Sequence, residues 1–147
     1  MEIKKMQKCH VPEVEQMAKK FYYSDAVCHE IPWENIRNSI ETAVSENNIL
    51  DGYVFDVNGE IAGFGFITQY FETECGGVCV QIIDLYVDDK FRKQGIAKQY
   101  FDFVFKTYSH AKRFRLEVVE DNYPALSLYG QLGFTKLNYM QMIKEMY

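Results

Sequence analysis

The sequence predicts an α/β domain built on a largely antiparallel sheet, and three stretches carry that expectation. Asn58-Gly59 stands between two apolar runs, the pattern of a tight hairpin whose turn residues both need positive φ. Val78 to Val87 is an apolar run of strand length, with Val78, Val80, Ile82, Ile83, Leu85 and Val87 reading as a central strand buried on both faces. After it the period changes: Ile96, Tyr100, Phe103, Val104 and Thr107 recur at helical spacing, and Ala97, Phe101, Phe105 and Tyr108 broaden the apolar face. Lys98, Asp102 and Lys106 are left as one narrow polar stripe, so this helix is expected to be mostly buried.

The remaining elements can be taken in chain order. Glu2 to Gln7 reads as a short strand, and His10 to Tyr22 as a helix with Val14, Met17, Ala18 and Phe21 on one face and Pro12 in its first turn. The stretch from Phe21 to Ile31 is aperiodic and aromatic. A second helix runs from near Pro32 to about Glu46, stopped by Asn47-Asn48. Leu50 to Val57 and Glu60 to Tyr70 are the two hairpin strands, and Phe71 to Gly77 loops back to give a three-stranded meander. Phe114 to Glu120 is a further strand, with Leu116 and Val118 facing one way and Arg115, Glu117 and Val119 the other. Pro124 opens a short helix ending at Gly133; Phe134 to Tyr139 and Met142 to Met146 read as final strands.

Composition narrows the function. The chain of 147 residues suits one domain covering 1–147, with no linker, repeat or low-complexity segment. A net charge of −5 argues against a nucleic-acid surface and favours cationic partners. No stretch reaches membrane-spanning length and the first residues lack a signal-peptide core, so no membrane association and a cytoplasmic location are expected. The four cysteines are poorly spaced for zinc, with Cys79 inside the apolar strand, and free thiols without a metal are expected.

The chemistry sits between the long strand and the helix, in Arg92-Lys93-Gln94-Gly95-Ile96-Ala97. A helix N-terminus carries unpaired N–H groups and the positive end of a dipole, so it attracts phosphate. Gly95 and the small Ala97 would let the backbone approach such an anion, with Arg92, Lys93 and Lys98 adding charge at the rim. An ordinary strand-to-helix turn with solvated basic residues is the alternative.

Arg92-x-x-Gly95-x-Ala97 after Leu85-Tyr86-Val87 resembles the pyrophosphate loop of the GNAT superfamily of acetyl-CoA-dependent N-acetyltransferases. Asn122-x-x-Ala125-x-x-Leu128-Tyr129-x-x-x-Gly133-Phe134 is similar to that family's second signature at every fixed position. The resemblance is strong from about Val78 to Tyr139 and only topological before it; Ala97 stands where Gly is common. It implies a GNAT-like mixed, mostly antiparallel central sheet with helices on both faces. It also implies transfer of an acetyl group from acetyl-CoA to a primary amine, by direct attack in a ternary complex. The acceptor class would be a small-molecule amine, a polyamine, an aminoglycoside or a peptide N-terminus.

The same resemblance implies the site residues. The strand ending at Leu85, Tyr86 and Val87 would splay from its parallel neighbour and hold the pantetheine arm and the acetyl carbonyl. Arg92, Lys93, Gln94, Gly95, Ile96, Ala97 and Lys98 would hold the pyrophosphate. Asn122 would bind the cofactor, although an asparagine there is equally a helix cap. Tyr129 would touch the cofactor and protonate the departing thiolate, with a core aromatic as the bland alternative. Glu117, at the spacing of a catalytic glutamate in ribosomal-protein alanine acetyltransferases, is placed first as the base. Asp84 is second, because an acid inside an apolar strand needs a partner or a purpose, and a water relay is third. In this fold the region between the first two helices commonly walls the acceptor pocket, so Tyr22, Tyr23, Asp25, His29, Glu30 and Trp33 are candidates for the amine, or else fill the core. A homodimer stays open. The rival from another class is a non-catalytic CoA-binding sensor or interaction module on the same fold.

Overall fold

The computed structural model describes residues 1–146 and orders the elements as β1 (Glu2–Lys5), α1 (Val11–Tyr22), α2 (Trp33–Val44), β2 (Asp51–Val57), β3 (Glu60–Glu72), β4 (Gly77–Val87), α3 (Ile96–Thr107), β5 (Arg113–Leu116) and α4 (Tyr123–Gln131). Single 3-10 turns at Lys8–His10 and Asp89–Phe91 lead into α1 and towards α3. The five strands form one sheet in chain order, antiparallel except for the β4–β5 pair.

Alternation along the strands sends side chains into two cores. In β2, Tyr53 and Phe55 join Val80, Ile82, Tyr100, Phe101 and Val104 beneath α3 and α4. Between them Val54 points the other way, joining Phe64, Phe66, Tyr86 and the inner faces of α1 and α2. The sheet is therefore mixed, mostly antiparallel and covered by helices on both faces. Gly65 makes room for α3 to sit close: a Cβ at that position would lie 2.4 Å from the Tyr100 phenol oxygen.

Local signals explain most boundaries. Asn58 and Gly59 have φ of 55° and 88°, the left-handed pair that a two-residue hairpin demands, and the Gly59 N–H donates to the Asp56 carboxylate at 2.6 Å. Asn47 stops α2 by accepting from the N–H groups of Ile49 and Leu50 at 2.9 and 2.7 Å. None of the described helices is long and apolar enough to cross a membrane.

Three expectations are corrected. Strand β5 ends at Leu116 rather than Glu120, because its partner β4 leaves the ladder at Ile82. Phe134–Tyr139 and Met142–Met146 are not strands, because a strand needs a ladder partner and no ladder joins them to another segment among the described residues; Phe134 packs against the core, and residues 135–146 are exposed. Finally, β4 is not apolar on both faces. Phe66 pairs with Asp84 and Ile67 with Ile82, so Ile83 is an extra residue with no partner in β3, and it is 44% exposed. This bulge puts Val78, Val80, Ile82, Leu85 and Val87 together on the α3 side.

Candidate active site

The bulge at Ile83 organises the site. The last β4–β5 pair is Ile82 with Leu116, so Ile83 to Val87 have no strand partner on the side facing β5. The two parallel strands part at that point and leave backbone groups of β4 free for a ligand's amides. Beyond the bulge Asp84 and Tyr86 face α1 and α2, opposite to Leu85 and Val87.

Asp84 is the unusual group. It is partly buried among apolar neighbours, and its carboxylate accepts a hydrogen bond from the Tyr22 hydroxyl at the C-terminal end of α1. Burial pushes the Asp84 carboxyl up to about 6, and the bond from Tyr22 offsets only part of that. The Tyr22 phenol is driven far above its ordinary range, first by burial and then by the Asp84 charge, so it stays a donor. Tyr22 is held by Phe21, whose ring centroid is 4.9 Å away and which packs in turn on Tyr86 and Phe64. Lys20 pairs with Asp88 at 2.9 Å and so fixes the same end of α1 to the end of β4.

The loop after β4 reaches the N-terminus of α3. Lys93 and Gly95 have φ of 60° and 76°, and Gly95 caps α3 without any side-chain hydrogen bond. A Cβ at Gly95 would meet only the Gln99 amide, at 4.0 Å, so the backbone conformation selects glycine there and packing does not. The first-turn N–H groups of α3 face open space beside exposed Lys93, Gln94 and Lys98. Ile96 is buried as an anchor of the helix and Ala97 is half-buried. Arg92 is committed elsewhere: its Nε donates to the Val87 carbonyl at 3.0 Å, it pairs with Asp89 at 2.8 Å, and it lies over the Tyr86 ring. It ties the loop to β4.

On α4, Tyr129 packs edge-on against Phe101 and Phe134, with centroids 5.6 and 6.0 Å away. Burial raises its phenol, which therefore holds its proton at neutral pH, and its hydroxyl makes no hydrogen bond among the described residues. Asn122 caps α4 by accepting from the Ala125 N–H at 3.3 Å. Glu117 lies just past the end of β5 and is exposed.

Of the acceptor candidates, the structure brings only Tyr22 to Asp84. Trp33 packs into the core beneath α1 and α2 with the Lys19 ammonium 4.9 Å from its ring. Tyr23, Asp25, His29 and Glu30 are exposed, and His29 meets Cys28 through Nδ1 at 3.1 Å. Sequence reasoning missed the Tyr22–Asp84 pair and the bulge. The bulge had a signal: the apolar positions switch from even (78, 80, 82) to odd (85, 87) within one strand. It also missed an open groove between α2, the start of β2 and Ile83, lined by Ser39, Thr42, Leu50 and Thr68.

The family model described as Acetyltransferase (GNAT) family matches residues 12–134. Among solved structures, a possible acetyltransferase from Clostridium difficile 630 is similar with a TM-score of 0.81 at 16% identity, covering 99% of this chain and 97% of that one. AAC(6')-Iy in complex with the bisubstrate analog CoA-S-monomethyl-acetylneamine gives 0.79 at 17% identity, covering 99% and 98%. A ribosomal-protein-alanine N-acetyltransferase from Brucella melitensis biovar Abortus 2308 gives 0.74 at 16%, covering 99% and 100%. At such identities these likenesses speak for the fold alone. A search of curated proteins finds no match.

Proposed function

Because this chain belongs to the GNAT acetyltransferase family, we propose that it moves an acetyl group from acetyl-CoA to a primary amine, with Asp84 as the base and Tyr129 as the acid. The observation that carries the assignment of roles is Asp84, a carboxylate held by Tyr22 at the bulge where β4 and β5 part. A base poised near neutral pH is what deprotonating an ammonium group requires. Glu117, the first choice on sequence grounds, is exposed beyond β5, and on that contrast we place Asp84 ahead of it.

The co-substrate fits the residues present. Its pantetheine amides would pair with the unpartnered edge of Ile83 to Val87, and its pyrophosphate would lie on the uncapped N-terminus of α3 at Gly95 to Lys98. Arg92 would keep that loop in place through Val87 and Asp89. Bound this way, acetyl-CoA supplies an activated thioester. A backbone N–H of the open β4 edge would donate to its carbonyl oxygen. Asp84, directly or through one water, would take a proton from the ammonium, and the nitrogen lone pair would form the C–N bond as the C–S bond breaks. The Tyr129 hydroxyl would give its proton to the leaving sulfur, and the second proton shed by the acetylated nitrogen would return to Tyr129 through water. The acceptor would enter from the α1–α2 side, along the groove lined by Ile83, the residue before Asp84 in sequence, and a net −5 chain suits a cationic amine.

Release of CoA thiol should be seen when polyamines, amino acids, aminoglycosides and peptide N-termini are offered with acetyl-CoA. With a turned-over amine, kcat should climb with pH through about 6, where Asp84 loses its proton, and then level. A CoA-dependent thermal shift with no turnover on any amine would favour the non-catalytic module instead. The cradle is tested separately: Gly95→Val forces a β-branched residue to positive φ beside the anion site and should weaken CoA binding by about tenfold or more by titration calorimetry. Unchanged affinity would remove the α3 N-terminus from the CoA site.

A further inference from the structure

We propose that the acceptor is a primary amine with a single charge and an aliphatic tail, the tail lying in the groove between α2 and Ile83, a choice that rests on the acetyl-transfer reading of the β4–β5 opening. The groove holds about 450 Å³, and none of the residues lining it is charged. Two of its hydroxyls are turned onto the protein's own backbone. Ser39 donates to the Asn35 carbonyl at 2.9 Å and Thr68 to the Ile49 carbonyl at 2.7 Å, so neither keeps its proton for a ligand. Two large apolar side chains face the open space instead: Ile49 and Ile83 are 66% and 44% exposed. Ile49 is held in that place. Its N–H donates to the Asn47 side-chain oxygen at 2.9 Å, its carbonyl takes the Thr68 proton, and the Asn47 amide donates in turn to the Thr42 carbonyl at 2.7 Å. Both backbone groups of Ile49 are satisfied, and its side chain is presented to solvent at a fixed point.

Strand register joins the groove to the site. On β3, Phe66 is the Cα partner of Asp84, and Thr68 is the next residue on the same face. Two residues along a strand cover about 7 Å, so the groove wall at Thr68 stands one row from the row that holds Asp84. A six-carbon chain, with bonds of about 1.5 Å, reaches about that far when extended. An ammonium group at Asp84 therefore sets the carbons behind it against Ile83, Leu50 and Ile49, whose exposed apolar surface they cover. Charge decides the class of tail. A second ammonium at the far end would lose water against a lining that offers no carboxylate in return, and an aliphatic end avoids that loss. Polyamines and aminoglycosides carry several such charges and are disfavoured; an alkylamine is not.

With saturating acetyl-CoA, kcat/KM of the full chain should climb about threefold per added methylene from ethylamine to hexylamine. Hexylamine should exceed hexamethylenediamine, of the same length but charged at both ends, by at least about tenfold. Ile49→Asp sets a carboxylate at the far end of the groove and should lower that ratio by at least about tenfold, while Ile49→Leu keeps it. Turnover that favours the diamine, or that occurs only with a polyamine or an aminoglycoside, would overturn the proposal and leave acetyl transfer standing. So would a ratio that a folded Ile49→Asp variant leaves unchanged. Turnover of no amine at all would sink acetyl transfer by itself, and the groove is then judged by binding. Hexylamine added to the CoA-loaded chain should move the Ile49 and Ile83 methyl resonances in the NMR spectrum, and hexamethylenediamine at the same concentration should move them far less. Unmoved methyls, or equal movement with both, would overturn the groove's choice of ligand. The wild-type ratio and the titration decide even if Ile49→Asp fails to fold.

Discussion

Asp84→Asn is expected to remove most of the activity and to make the protein more stable. The two effects have one cause. The Asp84 carboxyl titrates at about 6 in the fold against an ordinary 3.8, so above neutrality the fold holds a charge that burial disfavours. At 1.36 kcal/mol per pH unit the penalty is on the order of 3 kcal/mol. The sign comes from the raised value. Below pH 3.8 the folded and unfolded chains are both protonated. Between 3.8 and about 6 the unfolded chain ionises first, so stability falls as pH rises, and above 6 the loss is complete. Asparagine keeps an acceptor for the Tyr22 hydroxyl without the charge, and should recover about 1–2 kcal/mol at pH 8. Denaturant unfolding of both proteins from pH 4 to 8 should show the gap opening between about 4 and 6. The same variant should lose roughly 10²–10⁴ in kcat together with the limb near pH 6, while Glu117→Gln stays within about twofold of wild type. A pH-independent gap would mean that Asp84 is not an uncompensated buried charge. A large loss for Glu117→Gln with an active Asp84→Asn would restore Glu117 as the base.

Tyr129→Phe should lower kcat by roughly 10²-fold and leave acetyl-CoA binding nearly unchanged. The ring is what packs, against Phe101 and Phe134, and phenylalanine keeps those contacts. The hydroxyl has no partner among the described residues, so the fold does not use it; stability should change by less than about 0.5 kcal/mol. Paired measurements of kcat, of CoA affinity and of unfolding separate the roles cleanly. A fall in stability with an unchanged rate would make Tyr129 a core aromatic, and leave solvent to protonate the thiolate.

Residues that act on near neighbours were legible from the sequence; those whose partners are distant were not. Asn58-Gly59 dictates its own turn, and the spacing from Ile96 to Thr107 dictates a helix face, so both appear where expected. Phe134–Tyr139 and Met142–Met146 have the apolar content of strands, but pairing belongs to two strands, and among the described residues no ladder reaches those segments. Arg92 looked free because a cation before a helix has no local clue to its carbonyl partner on Val87. Tyr22 and Asp84 are 62 residues apart, and nothing near either one announces the other. The acid itself was visible as a charge in an apolar strand; its partner required the fold.

The extra residue in β4 has a consequence for how such a sheet can change over generations. Were Ile83 lost, Ile82 would be followed directly by Asp84, and the in-and-out alternation of Asp84, Leu85, Tyr86 and Val87 would stay as it is. The strand could then run unbroken beside β3, with no side chain changing sides. A regular sheet and an open one are thus separated here by a single codon, and the hydrophobic core is indifferent to which is present. Selection for stability alone would have no reason to keep such a residue; only a use for the opening would.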